Sequence, residues 1–231
     1  MRLAHPYLFS SLLTAVFSTG AFLLTNSAAD STREPIKLPQ PFADSRTSVE
    51  KALQERRSIR QYKIRPISLA ELSQLLWAAQ GISGSGGKRT APSAGALYPL
   101  EVYVVAGTVT DLSAGVYSYD PHRHELHRIA EGDARAELCK AALGQSSIRN
   151  AAAILVFTAV YERTTGKYGE RGIRYVHMEA GHAAQNVSLQ AVSLDLGTVV
   201  VGAFQDEQVR TVLRLPEHGQ PLSIMPVGKM Q

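Results

Sequence analysis

The stretch Thr90-Ala91-Pro92-Ser93-Ala94-Gly95-Ala96-Leu97-Tyr98-Pro99-Leu100-Glu101-Val102-Tyr103-Val104-Val105-Ala106 joins two kinds of sequence. Its first half packs small residues and prolines into a tight loop, where backbone N–H groups can approach a flat ligand closely. Its second half, Leu100 to Ala106, alternates β-branched and aromatic residues and predicts a strand. Upstream, Ser68-Leu69-Ala70-Glu71 is a capping box ahead of Leu72, Leu75, Leu76 and Ala79, so a helix is expected there with Gly81 as its C′ glycine. Thr47–Arg57 predicts a short helix capped by Ser48, and the Gly/Ser-rich residues 81–97 predict a loop. Downstream, Val116–Tyr119 and Glu125–Ile129 flank Asp120-Pro121 and predict a hairpin. Ala134–Leu143 reads as a helix, and the unbroken apolar run Ala151–Val160 as a buried central strand. Ile173–Leu196 predicts a long amphipathic helix closed by Gly197. Thr198–Phe204 then reads as a strand, Asp206–Leu213 as a helix and Leu222–Val227 as a last strand. Helices and strands thus mix along one domain that holds a hairpin, which is α+β or α/β with a largely antiparallel or mixed sheet.

Composition narrows the class. Of 231 residues, 45% are hydrophobic and 19% charged, which suits a globular core and excludes a disordered, collagenous or coiled-coil chain. The single cysteine, Cys139, excludes an internal disulfide, a thiolate zinc site and a protein-held iron–sulfur cluster; on an amphipathic helix it is expected to be buried and structural. A net charge of +4 suits an anionic cofactor, and no basic stripe or binding module points to nucleic acid. Residues 1–29 read as a signal peptide: Arg2 is the only charge before Asp30, Tyr7–Leu24 is apolar, and Ser27-Ala28-Ala29 offers a cleavage site. The expected location is therefore exported, periplasmic or secreted; the alternative is a membrane anchor formed by the uncleaved segment. Residues 30–46, with Pro35, Pro39 and Pro41, read as an extended linker or arm, leaving 47–231 as the single domain.

Most familiar motifs fail. Gly81–Lys88 is not a phosphate loop, because position 82 is Ile and position 89 is Arg where Ser or Thr would hold magnesium. His122, His124 and His127 lie around Glu125 at spacings that miss the zincin pattern; a solvated hairpin is expected, with His122 and His124 on one face, and no metal site. Glu179, His182 and Asn186 align on one helical face, as expected of a hydrogen-bonded helix contact. Ser93 lacks a nucleophile elbow. What remains is dispersed: Arg56-Arg57-Ser58-Ile59-Arg60 offers guanidinium forks and a hydroxyl that match phosphate oxygens. Gly197-Thr198-Val199-Val200-Val201-Gly202 is a second tight segment, and Lys229 a further cation.

Read together, these segments resemble a known family. Arg56–Tyr62 is similar to the opening motif of nitroreductase-like flavoproteins, and Ala91–Glu101 resembles the SagB-type branch, which contains thiazoline oxidases. Leu75–Gly81, Gly115–Tyr117, Tyr119–Pro121, Tyr168–Tyr175, Glu179–Asn186, Leu196-Gly197 and Pro226–Lys229 follow in order, so the resemblance runs from about residue 50 onward. It implies an α+β sandwich: a mixed, mostly antiparallel sheet packed with helices, expected as an interlocked homodimer with FMN at the subunit interface. It places Arg56, Ser58 and, beside them, Arg57 and Arg60 near the FMN phosphate. It lays Pro92, Ser93, Ala94 and Gly95 against the isoalloxazine ring, with the turn Gly197, Thr198, Val199 and Val200 on the other side. Lys229 would complete the phosphate site, and the helix Ile173–Leu196 would form much of the dimer core, giving Gln185 and Asn186 structural roles. The implied activity is FMN-dependent, ping-pong hydride transfer through flavin N5, with NAD(P)H as the electron donor and a small-molecule or peptide substrate. Lys167 and Tyr168 are the candidate catalytic pair for a substrate that must also lose a proton, with Tyr98 another candidate. Three alternatives stand: a non-redox flavin-binding or sensing protein on the same fold, a flavin-destructase-like or dehalogenase-like enzyme, and a thiazoline/oxazoline dehydrogenase acting on modified peptides.

Overall fold

The computed structural model describes residues 34–231; the leader expected over residues 1–29 lies outside them. In chain order the described elements begin with β1 (Ile36–Lys37), α1 (Val49–Glu55), β2 (Ile67–Ser68), α2 (Leu69–Gln80), β3 (Ile82–Gly84), β4 (Lys88–Arg89), β5 (Leu100–Ala106) and β6 (Val109–Thr110). The chain continues through β7 (Gly115–Asp120), β8 (Glu125–Glu131), α3 (Arg135–Ala141), α4 (Ser146–Arg149), β9 (Ala153–Ala159), α5 (Glu162–Tyr168) and α6 (Arg171–Ser193). It ends with β10 (Leu196–Thr198), α7 (Asp206–Leu213) and β11 (Gln220–Lys229).

Seven strands form one sheet in the order β1-β8-β7-β5-β9-β11-β10, and every adjacent pair is antiparallel. The two-residue pairing of β2 with β6 is parallel. β9 lies between β5 and β11 with all seven residues buried, which is why its sequence is apolar without alternation. Alternation instead sorts side chains between two cores. Val102, Val104, Leu155, Phe157 and Met225 face α2 and α6. Tyr103, Val105, Ile154, Val156 and Ile224 face α3, α4 and α7. The sheet is thus sandwiched between two helical layers, each fully buried Leu, Ile or Phe contributing about 1.5–3 kcal/mol through lost apolar exposure. On α6 the positions Val176, Ala180, Ala183, Ala184, Val187 and Ala191 form the apolar stripe, and their small size lets this helix lie close to the sheet.

The helix-start signals are met. Ser68 Oγ accepts from Glu71 N–H at 3.2 Å while Glu71 Oε2 accepts from Ser68 N–H at 2.8 Å, and Ser48 caps α1. The helix-stop expectations need correction. Gly81 is extended (φ −65°, ψ 154°), not left-handed; it must be glycine because a Cβ there would fall 2.3 Å from Trp77 Cδ1. α6 ends at Ser193 and the chain reverses through Asp195 at φ +54°, so Gly197 lies in β10 and closes nothing. The strand expected over Thr198–Phe204 is also displaced: Leu196–Thr198 pairs with β11, and beyond it Val201 makes an isolated bridge to Ile224. β-branched residues favour a strand there, yet a ladder extends only where a partner edge runs alongside. The loop expected over 81–97 contains the β3–β4 ribbon.

His124 is another correction. It is half-buried at φ +53°, its ring nitrogens reaching Tyr119 Oη at 2.9 Å, Ser73 Oγ at 2.7 Å and Pro39 O at 3.0 Å, and burial lowers its pKa. The stretch read as a linker is packed where it is described: Ile36 and Lys37 pair with β8, Leu38 is buried, and Phe42 exchanges backbone hydrogen bonds with the Gln74 amide. Cys139 is buried, as expected, with its Sγ 3.3 Å from Gln145 O. No helix among the described residues is long and apolar enough to cross a membrane.

Candidate active site

Two clusters of the residues singled out by sequence form in the fold. The first is built on the β10–β11 edge. After α1 the segment Arg56–Tyr62 runs across these strands: Ile59 N–H donates to Thr198 O at 2.9 Å, and Lys63 N–H to Lys229 O at 2.9 Å. Tyr62 Oη donates to Ile59 O at 2.9 Å and lies 3.2 Å from Pro226 O; burial pushes its pKa well above the usual phenol value. The approach is close because Gly197 and Gly228 lack side chains; a Cβ would fall 2.6 Å from Ile59 Cγ2 and 2.7 Å from Tyr62 Cγ respectively. Arg56, Arg57, Ser58, Arg60, Gly197, Thr198 and Val199 are therefore neighbours in space. Arg57 Nη1 is occupied by Gln54 O and Arg56 O, both at 2.8 Å. Arg56, Ser58 and Arg60 have no side-chain hydrogen bond or ion pair among the described residues, so three donors are available to an anion. Beside them Thr198 Oγ1 is buried with no hydrogen-bond partner among the described residues. Lys229 Nζ is ion-paired with Glu71 Oε1 and thereby ties the end of β11 to the start of α2. Burial works to raise the Glu71 pKa, but the Lys229 and Ser68 hydrogen bonds outweigh it and hold the carboxyl below its usual range.

The second cluster is the Pro92–Tyr98 loop. Gly95, Ala96 and Tyr98 have φ of +62°, +54° and +47°, so two side-chain-bearing residues occupy a region L-residues rarely adopt. Ser93 Oγ accepts from Tyr98 N–H at 2.9 Å and closes the loop on itself. α6 braces it: Glu179 Oε1 accepts from Ala94 N–H at 2.9 Å, and Asn186 Nδ2 donates to Thr90 O at 3.2 Å. Glu179 and Asn186 are thus the hydrogen-bonded helix contact their spacing predicts, and sequence did not reveal that their target is this loop. Glu179 is buried, and burial raises its pKa despite the Ala94 N–H. Lys167 and Tyr168, at the end of α5, meet the loop from the other side: a Cβ on Gly95 would lie 2.8 Å from Tyr168 Oη and 3.0 Å from Lys167 Nζ. Tyr168 stacks edge-on with Tyr175 at 5.2 Å, which orients its ring. Pro92, Ser93, Ala94, Gly95, Lys167 and Tyr168 therefore come together as one group. Among the described residues, no hydrogen bond or ion pair joins it to the arginine cluster.

Arg89 is the participant that sequence reasoning passed over. It sits 4.5 Å over the Tyr98 ring, and Arg163 Nη1 donates to Tyr98 O at 3.3 Å. The signal was an arginine three residues before the loop, which is uninformative without the fold.

An antiparallel sheet between two helical layers, carrying these two clusters, defines the nitroreductase-like α+β sandwich class. The family model described as the nitroreductase family matches residues 53–229. A protein of Methanocaldococcus jannaschii that carries the name nitroreductase MJ1384 is 51% identical over 181 residues, covering 78% of this chain and 90% of that protein. The microcin B17-processing protein McbC of Escherichia coli is 30% identical over 158 residues, covering 65% of this chain and 58% of McbC. A solved nitroreductase structure from Ralstonia eutropha is similar with a TM-score of 0.76 at 32% identity, covering 86% of this chain and 90% of that one. A chain of the Escherichia coli McbBCD microcin synthetase complex shares the fold, with a TM-score of 0.65 at 24% identity over 96% of this chain and 85% of its own. The chain belongs to the nitroreductase family and is an oxidoreductase of that family.

Proposed function

We propose that the chain is an FMN-dependent oxidoreductase of the SagB-type branch that moves a hydride between a donor and an acceptor in two half-reactions. The observation that carries this reading is the set Arg56, Ser58 and Arg60, on a segment docked on Thr198 through Ile59, with no anionic partner among the described residues. A phosphate needs that combination of cations and a hydroxyl. The buried, unpartnered Thr198 Oγ1 and the strained Pro92–Tyr98 loop are what a flavin's polar atoms and flat ring would satisfy.

Arg56, Arg57, Ser58 and Arg60 hold the phosphate, with Lys229 alongside and already paired to Glu71. Pro92, Ser93, Ala94 and Gly95 support one side of the ring, while Gly197, Thr198 and Val199 flank the other. Glu179 and Asn186 keep the loop in place. Bound FMN supplies the two-electron hydride chemistry, NAD(P)H being the donor class we assign. Lys167 Nζ or Tyr168 Oη accepts the proton of a substrate that loses hydride and proton together. Each site of a homodimer pairs the arginine cluster of one protomer with the loop cluster of its partner. The segment 1–29 exports the chain.

A modified peptide is the second substrate reading, favoured by the likeness to McbC, whose name assigns it to microcin B17 processing; this chain spans 58% of McbC. The deciding experiment is an absorbance spectrum of the purified protein, followed by denaturation and identification of the released chromophore. Stoichiometric FMN is expected, with affinity falling at least about tenfold in Arg56→Gln/Ser58→Ala for a loss of about 1.4 kcal/mol. A protein that stays colourless after incubation with FMN would overturn the reading.

A further inference from the structure

Arg89 carries a half-buried guanidinium whose direct contacts among the described residues, Gln80 and Tyr98, are neutral; Asp120 and Glu179 act on it only at longer range. Nη1 donates to Gln80 Oε1 at 2.9 Å, the Tyr98 ring lies 4.5 Å away, and Nε is buried with no hydrogen-bond partner among the described residues. Burial lowers its pKa, Arg163 adds to the fall and Asp120 opposes it, and no carboxylate among the described residues pairs with the guanidinium at contact distance.

The guanidinium is one wall of a cavity of about 340 Å³, which opens between the end of α2, the start of β5 and the end of β7. The other ionisable groups around it have partners of their own, His127 on the cavity wall lying 3.3 Å from the buried Glu125. Arg163 Nη2 holds Glu101 Oε1 at 2.5 Å, so that pair is internally neutral. Asp120 spends Oδ1 on the N–H groups of His122 and Arg123, at 2.8 and 3.3 Å, and its Oδ2 lies 3.9 Å from the exposed Arg123 Nη1, a loose, solvent-screened pair that leaves most of its negative charge at the rim. Leu100 and Val102 add apolar wall. Such a cavity suits one negative charge on a small, partly apolar body. A dianion such as phosphate would meet repulsion from Asp120.

We propose that this cavity is a binding site for a small monocarboxylate, held by Arg89. The ligand supplies the counter-charge that Gln80 and Tyr98 cannot. The site is distinct from the arginine cluster on β10–β11 and does not depend on the flavin reading.

The test uses the full-length, isotope-labelled protein as purified, titrated with sodium butyrate against sodium chloride and sodium sulfate at matched ionic strength. The readout is the Arg89 Nε–H resonance, assigned by its disappearance in Arg89→Lys. Butyrate is expected to shift it saturably, and chloride and sulfate are expected to leave it unsaturated. The parent is expected to show a saturable, butyrate-dependent rise in melting temperature, and Arg89→Gln is expected to lose it. Asp120→Asn keeps the turn acceptor, removes the opposing charge and should tighten butyrate about threefold to fivefold. This variant tests the idea even if Arg89→Gln folds poorly. A linear shift, an equal response to chloride, or unchanged affinity in Asp120→Asn would overturn the proposal. Release of a bound chromophore at saturating butyrate would overturn the claim of a separate site.

Discussion

A Cβ on Gly197 would sit 2.6 Å from Ile59 Cγ2 and 2.9 Å from Ile59 Cβ, closer than any relaxed contact, and a rotation of the Ile59 side chain would not move its Cβ. Gly197→Ala should therefore cost about 1–3 kcal/mol by overpacking, read as a lower urea midpoint at unchanged slope. The same substitution pushes the Arg56–Arg60 segment off Thr198 and should weaken anion binding with it. Glu179 makes a different prediction. Its folded pKa is raised by burial, so between the ordinary carboxylate range and its own value the folded state binds more protons than the unfolded one. That contribution lowers stability as pH rises through this window and is absent below it. Glu179→Gln keeps an acceptor for Ala94 N–H and should flatten this dependence, seen as a gain in melting temperature over the parent at neutral pH and none at acid pH. Asp133 has the opposite sign, since the Arg135 hydrogen bonds hold its carboxyl below the usual range; its contribution is lost as pH falls through that lowered value.

At the scale of elements, α2 has a reciprocal capping box, and the Lys229 ion pair adds the end of β11 to it. Ser68→Ala should cost about 1 kcal/mol in chemical denaturation by leaving the Glu71 N–H without its acceptor. Across the molecule, α6 ties three parts together: an apolar stripe against the sheet, Glu179 and Asn186 on the loop, and a reversal at Asp195 that delivers Thr198 to Ile59. The capping box, the hairpin around Asp120-Pro121 and the buried β9 run were legible in the sequence because each depends on neighbours in the chain or on simple periodicity. The helix–strand boundary at 193–204 was not. Which β-branched residues pair there depends on where the free edge of β11 lies, and that edge is set by residues more than twenty positions away.

For the molecule as a whole, Val49 and Leu53 on α1 and Ile173 and Met178 on α6 are large apolar side chains exposed in a single chain. Exposure of this kind on the helices that carry the site suits a self-associating surface. Sedimentation should show a dimer. Met178→Asp should shift it towards monomer and reduce the bound chromophore in parallel, because we assign the two clusters of each site to different subunits. Lys167→Met and Tyr168→Phe bear on the reaction itself: whichever residue accepts the proton should lower kcat by about 10²–10⁴-fold while chromophore content stays unchanged.

By itself the sequence determined the local grammar of this protein. Ser68 and Glu71 start a helix, period-two alternation assigns Val104 and Val105 to opposite cores, and one cysteine excludes whole classes of site. The order of motifs from Arg56 to Lys229 also sufficed to place the chain in its family. Only the tertiary structure decided which of these residues meet. Gly197 reads as a helix terminator and is a clearance for Ile59; Glu179 reads as a helix-face contact and holds the loop at Ala94; Arg89 carries no signal and lines a cavity as a cation with no ion pair among the described residues. The physical reason is range. Caps and periodicity act over three or four residues, whereas steric clearance, burial of charge and hydrogen-bond satisfaction are set by atoms that only folding brings together.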